Sequence, residues 1–450
     1  MPSIVIVGGG FAGTTLARAL DGRLPPDCEL TLISDESYMT FNPMLPEAVG
    51  ASVFPEQVVA PVREMLSARS RFVMGRVTAV DARARTLRCE TLGGERALEY
   101  DHLVLAFGNR ARLDLLPGLA EHALPLKTVG DAMHIRNVVL RRLARMELEW
   151  DAQVRRELGH FVVIGGGFSG VEVAGELADC LRSVGRFYPR VHANELRVTV
   201  LHDTDRLLPE LPAKLGAAAL VSLTRRGVAV RLGARAAAIA PRSVELSGGP
   251  VLEARNVICT IGTRPNALVE RLGLPLERGR IRVAADMSVP SHAGLWALGD
   301  CALVPNALDG KAAPPTAQFA VREARQLAAN LLAALQGRPT RPFSARSRGM
   351  MAAIGHRKGV AQVFGIGFSG LPAWLLWRAY YLSQMPTLRR KLRIFVEWTW
   401  GMFFPADITH LRFTRSEELQ AEEQAPPTLA CLDKSEPRGC RWPTAPSSPS

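Results

Sequence analysis

The sequence predicts an α/β fold with two repeated strand–turn–helix units and a helical C-terminal region. Three observations lead to this prediction. The segment IVIVGGGFAG, which starts at Ile4, recurs in nearly the same form as FVVIGGGFSG, which starts at Phe161. Each copy lies between an apolar run and a helix-compatible run. Beyond Pro342, glycine-interrupted apolar sequence gives way to a segment rich in tryptophan and arginine.

The first unit begins with a β-branched run over residues 3–7. GGGFAG then leads into the helix-compatible stretch Thr14–Leu20. Next, CELTLISDE alternates the apolar Leu30 and Leu32 with Thr31 before a polar stop. This pattern predicts the order strand, turn, helix, strand.

The second unit repeats that order from FVVIGGGFSG through a helical run to the strand ELRVTVL. Between the units, DHLVLAFGNR predicts a short buried strand, and residues 129–158 form a charged helical stretch. Downstream, NVICTIG and GLWALGD predict two more strands. A helix follows two prolines, with Thr316 as its expected N-cap.

The glycines of both copies follow the spacing GxGxxG. Glycine there permits a tight turn, close approach of a pyrophosphate to backbone amides and close packing of helix on strand. The positive end of the helix then faces the phosphates. One such motif is weak evidence, but two in the right context predict two Rossmann-like dinucleotide-binding domains. The residues are Gly8, Gly10 and Gly13 in the first copy and Gly165, Gly167 and Gly170 in the second.

Two bound dinucleotides make chemical sense if something passes between them. Hydride transfer from a nicotinamide to a flavin is the economical interpretation. The competing interpretation is that the second copy is a structural duplicate without a ligand, and its intact glycines argue against that.

The acid that binds an adenosine ribose is expected about 20 residues after the last glycine, at the end of the next strand. Ser34 occupies this place in the first unit, and either of the following acids, Asp35 and Glu36, can serve. In the second unit His202 ends the strand and Asp203 follows. Rejection of a 2′-phosphate is weaker without an acid at the strand tip, so NADPH stays open beside NADH.

The seven cysteines are scattered and include no CxxC pair. This indicates a reducing compartment and predicts neither a disulfide framework nor a metal site. A strand that begins at Ser3 leaves no room for a signal peptide. The catalytic part is therefore expected in the cytoplasm.

Positive charge is concentrated towards the C-terminus. Residues 338–415 contain 13 Lys and Arg but only two acids, Glu397 and Asp407, and so hold almost all of the formal net charge of +12. Such an excess indicates an anionic partner, either a lipid surface or nucleic acid. Nucleic acid is disfavoured because the aromatic residues do not belong to a readable binding module.

Part of this region predicts a helix that lies in a membrane interface, with aromatic rings at headgroup depth and cations on anionic lipid. Packing as a homodimer interface is the alternative. A spanning helix is not expected, because four glycines, Pro372 and Gln362 interrupt the uncharged window Gly359–Trp377. The apolar face comprises Leu388, Leu392, Phe395, Val396, Thr399, Met402 and Phe403, with tryptophans Trp374, Trp377, Trp398 and Trp400 and cations Arg378, Arg389, Arg390, Lys391 and Arg393.

These motifs resemble the flavoproteins with two dinucleotide domains and, within them, the type II NADH dehydrogenases, which are NADH:quinone oxidoreductases. The resemblance covers about residues 3–411. The glycine turns and the GD of LWALGDCA are common to the superfamily, whereas PPTAQFAVREA and WLLWRAYYL…FFPADI are narrower signals. FNPMLPEAVG, LVLAFGN, HALPLKTVGDA and DRLLPEL complete the set.

The resemblance implies FAD at the first glycine turn and NADH at the second. Asp300 would bond the ribityl or phosphate region of the flavin, although a plain turn aspartate is the alternative. Glu172 would contact the nicotinamide end or its ribose, whereas Glu176 could equally be a solvated helix-face charge. Glu172 and Gln318 are the catalytic candidates. The FAD candidates are Gly8, Gly10, Phe11, Ala12, Gly13, Asp35, Glu36, Pro43, Gly108, Gly299, Asp300, Ala317 and Gln318, and the NADH candidates are Gly165, Gly167, Phe168, Ser169, Gly170, Glu172, His202 and Gly262.

The family's quinone motif AQxAxQ is only partly present. Ala317, Gln318 and Ala320 match it, but Arg322 replaces the second glutamine, which changes the geometry expected of a quinone site. Lys358 falls where the family often carries a basic residue near this site. The alternative is that these are ordinary surface residues.

The expected domains are a FAD-binding domain in two parts, 1–115 and 293–340, around an NAD(P)H-binding domain, 116–292. A membrane-associating domain, 341–415, and a disordered tail, 416–450, follow. The expected function is transfer of two electrons from NADH through FAD to a membrane quinone without proton pumping, by a peripheral protein on the cytoplasmic face of the inner (cell) membrane. Alternatives are a soluble ferredoxin or rubredoxin reductase, a sulfide:quinone oxidoreductase, or a non-catalytic NADH-sensing flavoprotein.

Overall fold

The computed structural model describes residues 2–404 and 407–411. By its contacts the chain divides into one unit, Met1–Ile408, and a second that begins at Thr409. Of the second unit only residues 409–411 are described, and they have no regular secondary structure. The expected tail, 416–450, lies outside the described residues.

The strands of the described part are, in chain order, β1 (Ser3–Val7), β2 (Glu29–Ser34), β3 (Tyr38–Thr40), β4 (Val59–Pro61), β5 (Ser70–Asp81), β6 (Thr86–Thr91), β7 (Gly94–Glu99), β8 (His102–Leu105), β9 (Asn109–Ala111), β10 (Ala123–Pro125), β11 (His160–Ile164), β12 (Arg197–Leu201), β13 (Val228–Arg231), β14 (Ala236–Ala240), β15 (Ser243–Leu246), β16 (Val251–Glu253), β17 (Asn256–Cys259), β18 (Thr263–Pro265), β19 (Leu276–Glu277), β20 (Arg280–Arg282), β21 (Leu295–Ala297), β22 (Ala302–Leu303), β23 (Gly349–Ala353), β24 (Gly359–Val363) and β25 (Ile366–Gly370). The α-helices are α1 (Phe11–Leu20), α2 (Leu45–Val49), α3 (Leu119–His122), α4 (Val129–Met146), α5 (Ala152–Leu158), α6 (Phe168–Val184), α7 (Ala213–Arg225), α8 (Leu268–Arg271), α9 (Ala317–Leu335), α10 (Leu371–Gln384) and α11 (Leu388–Trp400).

The first sheet has seven strands in the order β21-β8-β1-β2-β5-β6-β7. The strands from β21 to β5 are parallel, and β6 and β7 continue the sheet as an antiparallel hairpin, with β6 antiparallel to β5. Strand β21 comes from far downstream and pairs with β8, so the first sheet is built from two separated parts of the chain. This pairing supports a FAD domain in two parts, whose bounds stay a prediction.

The second sheet has five parallel strands in the order β10-β17-β11-β12-β13. The central strand β11 is buried along its whole length, as expected for an apolar run covered on both faces. The antiparallel strands β14, β15 and β16 form a small separate sheet.

A short pair of strands joins the two sheets. Strand β9 follows β8 of the first sheet, β18 follows β17 of the second, and they pair antiparallel, with Asn109 opposite Pro265 and Ala111 opposite Thr263. Because both strands leave the carboxyl ends of parallel strands, the ligand-binding edges of the two sheets are held against each other.

Some local predictions need adjustment. The charged stretch 129–158 forms two helices, α4 and α5, because Asp151 accepts hydrogen bonds from the backbone amides of Gln153 and Val154 and starts α5. Thr316 is the N-cap residue of α9, as predicted, but its side chain does not bond the first turn. No helix in the described ranges is both long and apolar enough to cross a bilayer.

The C-terminal region contains a feature that the sequence analysis did not anticipate. Its glycine-interrupted part forms the antiparallel sheet β23-β24-β25, and α10 and α11 follow. Gly365 has φ +85° in the turn between β24 and β25, where glycine is favoured. The glycines that argued against a spanning helix therefore shape a hairpin.

Candidate active site

The first glycine turn connects β1 to α1. Gly8 has φ +119° and its amide donates to the carbonyl of Ile33 at 2.8 Å. A Cβ on Gly13 would lie 1.9 Å from the carbonyl oxygen of Gly8, so only glycine lets the helix pack this closely. A Cβ on Gly10, in contrast, would meet no atom within 4 Å. The open side of the turn therefore lies at Gly10, where the first-turn amides of α1 have no acceptor within the helix.

The second turn repeats this geometry between β11 and α6. Gly165 has φ +116° and donates to Leu201 O at 2.9 Å. A Cβ on Gly170 would lie 1.8 Å from Gly165 O, whereas one on Gly167 would meet nothing within 4 Å. Each turn offers the same open cradle of amides, which fits a pyrophosphate.

The strand tips beside the two turns differ in chemistry. Ser34 lies under the first turn, since a Cβ on Gly9 would come within 2.5 Å of its Oγ. His202 lies under the second, where its Nδ1 accepts from the amide of Gly166 at 3.1 Å and its Nε2 lies 2.8 Å from Thr204 Oγ1. Neither tip residue is an acid, and the nearest carboxylate at the second tip is that of Asp203, whose Oδ1 lies 3.4 Å from His202 Nδ1.

The two acids expected at the first ribose are both exposed beyond the end of β2. Asp35 forms an ion pair with Arg110 Nη2 at 2.8 Å. The amide of Glu36 donates to Ser34 Oγ at 3.3 Å, which turns the chain back over the strand tip.

A polar cluster lies where the expected flavin face would be. Asn109 Nδ2 donates to Asp300 Oδ2 at 2.7 Å, and Asn109 Oδ1 is buried without a hydrogen-bond partner in the described part of the chain. Burial raises the pKa of Asp300, against the attraction of Lys127 and Arg280. Burial lowers the pKa of Lys127, against the attraction of Asp300. The unused acceptor on Asn109 fits a polar ligand such as the flavin.

Helix α9 is hydrogen-bonded to the Gly299–Asp300 turn. Gly299 has φ +72°, and its amide donates to Glu323 Oε2 at 2.7 Å. Burial raises the pKa of Glu323 to about 7, although the Gly299 amide favours its charged form. Sequence reasoning had not selected Glu323, because a glutamate in a helix carries no signal of its tertiary partner.

Aromatic rings connect the first glycine turn to the C-terminal helices. Phe11 packs against Phe41 with ring centroids 5.4 Å apart, Phe41 against Tyr381 at 5.8 Å, and Tyr381 against Trp377 at 4.6 Å. The C-terminal region therefore packs against residues of the first glycine turn.

Trp377 also contacts Glu172, which lies on α6, the helix that follows the second glycine turn. Glu172 Oε1 accepts from Trp377 Nε1 at 3.2 Å and from the amide of Ala353 at 3.1 Å. Burial raises the pKa of Glu172 well above its ordinary value, although both hydrogen bonds oppose this. Burial thus favours the protonated form of this carboxyl, and because Oε1 is the double acceptor, the proton of that form belongs on Oε2.

Two more buried carboxyls lie beside Glu172. Glu176 Oε2 accepts from Ser52 Oγ at 2.5 Å, and Glu47 Oε2 accepts from Trp398 Nε1 at 3.0 Å. Burial raises the pKa of Glu176 to about 8 and that of Glu47 to about 7. The interpretation of Glu176 as a solvated charge is therefore wrong, because α2 covers it.

Gln318 links α9 to the C-terminal sheet. Its Oε1 accepts from the amide of Arg348 at 3.0 Å, and its Nε2 donates to Gly349 O at 3.1 Å. Of the other two quinone candidates, Arg322 lies one helical turn after Gln318 on α9, whereas Lys358 lies away from it. Arg322 donates to the carbonyl of Arg346, and Lys358 is exposed at the opposite end of β23 from Gly349.

The remaining candidates lie in turns and at the beginnings of helices. Arg112 donates its amide to Gly262 O at 3.0 Å next to the β9–β18 pair. A Cβ on Gly299 would lie 3.3 Å from Ala12 Cβ. Phe168 and Ser169 open α6, Ala317 opens α9, Pro43 lies in a 3₁₀ turn before α2, and Gly108 precedes β9.

The C-terminal tryptophans require a correction. Trp374, Trp377 and Trp398 are buried, and only Trp400 of the four is exposed. Arg378 lies between two of these rings, 3.8 Å from the centroid of Trp374 and 4.8 Å from that of Trp398. The expectation that these rings lie at headgroup depth is therefore wrong for three of the four, because they build the core around the glutamates.

The predicted apolar face of α11 is mostly exposed. The exceptions are Thr399 and, beyond the end of the helix, Met402, which are both half-buried. We call the face formed by Leu388, Leu392, Phe395, Val396 and Trp400 the outer face of α11. Its opposite side, with Arg390, Ile394 and Trp398, is buried against the protein.

Sequence reasoning missed Asn109, Lys127, Glu323 and Glu47. All four stand inside motifs that already carried the resemblance, LVLAFGN, HALPLKTVGDA, PPTAQFAVREA and FNPMLPEAVG, so their positions were available as signals. The partners of Glu47 come from a helix more than 300 residues away, and no sequence signal reveals them.

Comparison with known proteins gives consistent matches. The model of the pyridine nucleotide-disulphide oxidoreductases matches residues 2–324, and that of the NDH2 C-terminal domain matches residues 348–406. The chain is 28% identical over 438 residues to the type II NADH:quinone oxidoreductase Ndh of Mycobacterium tuberculosis, covering 94% of this chain and 91% of the relative. It is 30% identical over 408 residues to the demethylphylloquinone reductase NdbB of Synechocystis sp., covering 88% and 95%. The structure of NDH2 from Plasmodium falciparum in complex with NADH has the same fold, with a TM-score of 0.83 and 18% identity over 91% of this chain and 99% of that one.

Two matching glycine turns on joined sheets, with a polar cluster between them, define a flavoprotein oxidoreductase with two dinucleotide-binding domains. FAD and NADH are its two dinucleotides. The chain belongs to the pyridine nucleotide-disulphide oxidoreductase family and, through its C-terminal domain, to the type II NADH dehydrogenases within it. The resemblance inferred from the motifs and the predicted fold class are confirmed.

Proposed function

We propose that the chain passes two electrons from NADH through FAD to a membrane quinone, without proton pumping. The observation that carries this proposal is the β9–β18 pair, which holds the open edges of two dinucleotide-binding sheets together. The relatives named as NADH:quinone and demethylphylloquinone reductases support a quinone as the acceptor.

Each group of residues has its own task in this proposal. The first-turn amides of α1 and α6 bind the two pyrophosphates. Asn109 and Asp300 orient the flavin through the unused acceptor and the carboxylate. The chemistry that FAD supplies when bound is acceptance of a hydride and release of two electrons. The protein contributes positioning and exclusion of water.

Gln318 and Glu172 are the proposed catalytic side chains. Gln318 opens α9 beside the Gly-Asp turn and orients the quinone. Reduction of a quinone to a quinol takes up two electrons and two protons. The hydride of NADH accounts for both electrons and one proton, and we assign delivery of the second proton, replaced from solvent, to the buried carboxyl of Glu172. Contact of Glu172 with the nicotinamide end or its ribose is the alternative role. Arg322, one helical turn after Gln318 on α9, is already bonded to the carbonyl of Arg346, and Lys358 lies at the opposite end of β23, so we assign neither to the quinone.

Membrane association is proposed for the outer face of α11. All five of its large apolar side chains are exposed, and Trp400, one of the five, is 61% exposed. Arg389 and Arg393 flank the face and are exposed. This combination suits an interfacial helix that reaches anionic lipid. We propose that the protein lies on the cytoplasmic face of the cell membrane. The competing outcome is a homodimer formed through the outer face of α11.

Vesicle sedimentation tests the membrane proposal. We expect the variant Leu392→Ser/Phe395→Ser to lose binding to vesicles that contain anionic lipid. The control Leu92→Ser/Trp150→Ser removes apolar groups elsewhere that are even more exposed, and it should stay bound. If the first variant changes only from dimer to monomer and still sediments, α11 is a dimer interface.

The sulfide:quinone alternative finds no support among the described cysteines. Cys301, next to Asp300, is buried, and burial raises the pKa of its thiol to about 12. A redox-active cysteine instead needs an accessible thiolate.

Anaerobic spectroscopy tests the function itself. Adding NADH to the purified yellow protein is expected to bleach the flavin band, and adding a water-soluble quinone is expected to restore it. Bleaching without recovery would point to a reductase of another acceptor or to a sensor. No bleaching at all would refute the proposal.

A further inference from the structure

A second pocket lies away from the glycine turns, between α9 and the segment 343–348 that leads into β23. Its volume is about 530 Å³, within the usual range of ligand pockets. No carboxylate lines it. The polar lining consists of Arg322, Arg325, Gln326, Ser344, Arg346, Ser347 and Arg348.

The four arginines of this pocket have no acidic partner. Among residues 2–404 and 407–411, none of them forms a salt bridge. Burial, together with the positive charge of Arg348, lowers the pKa of Arg322. Four unpaired cations around one pocket repel each other, and a bound anion would offset that repulsion.

The pocket is held in shape by hydrogen bonds. The carboxamide of the buried Asn306 accepts from the amide of Ala345 at 3.0 Å and donates to its carbonyl at 2.8 Å. Gln318 holds the amide of Arg348, and Arg322 donates to Arg346 O. The arginines therefore start from fixed backbone positions, which reduces the entropy lost when they bind a ligand.

The rim of the pocket indicates which anion fits. Phe364 lines the pocket and is 79% exposed, and Ile366, two residues further on, is 61% exposed. Leu371 then begins α10, also exposed. An anion with an apolar extension can use both parts, and Arg forks are well suited to phosphate oxygens.

We propose that this pocket binds the phosphate headgroup of an anionic phospholipid, with the arginines on the phosphate and Phe364 and Ile366 against the start of the acyl chains. The proposal deepens the proposed membrane association, on which it rests, by adding a defined headgroup site outside α11. It also places a bound lipid one helical turn from Gln318, beside the proposed quinone site.

Calorimetric titration of the full-length FAD-loaded protein with monomeric dihexanoylphosphatidylglycerol tests this inference. The parent should show one saturable site. Arg325→Gln/Arg346→Gln should weaken binding on the order of tenfold or more, because two cations near the headgroup are removed. Arg325→Lys/Arg346→Lys keeps the charge and should bind between the two. The control Arg389→Gln/Arg393→Gln removes the same charge from α11 and should bind this monomeric lipid like the parent.

Other outcomes would overturn the assignment. Equal affinity of the parent and Arg325→Gln/Arg346→Gln would remove the site, and so would equal loss in the α11 control. Inorganic phosphate that binds as tightly as the lipid would show a phosphate site with no lipid component. NADH oxidation with a water-soluble quinone should be unchanged in all variants, and its absence from the parent would refute the proposed function separately from the lipid titration.

Discussion

The two glycine turns share one backbone but have different surroundings. In the first, α1 carries Thr15 and Ala19 behind the turn. In the second, the corresponding positions of α6 are Glu172 and Glu176, both buried against the C-terminal region or α2. The backbone geometry explains binding of a dinucleotide in both places. The side chains one and two turns into the helix give the second turn two buried acids that α1 does not carry.

The largest expected effect comes from adding a side chain at the glycine where the helix lies closest to the backbone of each turn. Gly13→Val and Gly170→Val would each push a side chain into a carbonyl oxygen that lies less than 2 Å from the new Cβ. We expect Gly13→Val to be purified without FAD. Gly170→Val should retain FAD but need roughly tenfold or more NADH for half-maximal bleaching. Flavin absorbance and NADH titration measure both, and loss of FAD from both variants would show that the sites are not separable.

Replacing the buried carboxyl of Glu172 tests the chemical difference between α1 and α6. Glu172→Gln keeps an acceptor for Trp377 and Ala353 but has no proton to give. Turnover with quinone should fall about 10²-fold, while anaerobic bleaching by NADH stays fast. Stopped-flow measurement of the two half-reactions separates these steps. The matched variant Glu176→Gln should retain turnover, and an equal loss there would assign the effect to packing.

The buried acids behind the second turn also predict a pH dependence of stability. Glu176 and Glu47 have an ordinary pKa of 4.5 and reach about 8 and about 7 when buried. The folded state therefore binds more protons, so their stabilisation is complete below about pH 4.5 and is lost as pH rises through 7 to 8. Melting temperature should fall from about pH 6 to about pH 9.

Glu176→Gln should flatten this dependence. It should match the parent below about pH 4.5, become increasingly more stable than the parent as pH rises, and keep a constant advantage above about pH 8, because the neutral amide never ionises. Thermal unfolding followed by calorimetry provides the measurement. A variant that is less stable than the parent at every pH would mean that the bond with Ser52 outweighs the cost of ionisation.

The smallest effect concerns the strand tips. The second tip has His202 where many dinucleotide sites have an acid, so discrimination against NADPH should be weak in the parent. His202→Glu should increase the preference for NADH about tenfold through repulsion of a 2′-phosphate. Steady-state kcat/KM for both nucleotides measures it. An unchanged ratio would show that the ribose lies away from this tip.

What could be predicted from the sequence follows the range of the interactions. The glycine turns depend on residues within a few positions of one another, so spacing alone revealed them. Glu172 was selected by its motif, but its partners Ala353 and Trp377 lie 181 and 205 residues further along the chain. The buried state of its carboxyl therefore could not be predicted.

The C-terminal region shows the same limit. The period of three and four identified the outer face of α11, because that face depends on the order of residues within one helix. Periodicity could not distinguish a tryptophan that faces lipid from one that faces a glutamate. Trp398 lies on the opposite side of α11, where only the tertiary fold provides Glu47 as its acceptor.

The β9–β18 ladder fixes how turnover must proceed. Its backbone hydrogen bonds set the spacing between the two nucleotide domains before any ligand arrives, and a hinge rotation between half-reactions would have to break them. Donor and acceptor must instead come and go around a rigid frame. Electron transfer in such a frame needs no movement of the domains, because the open edges of the two sheets already face each other.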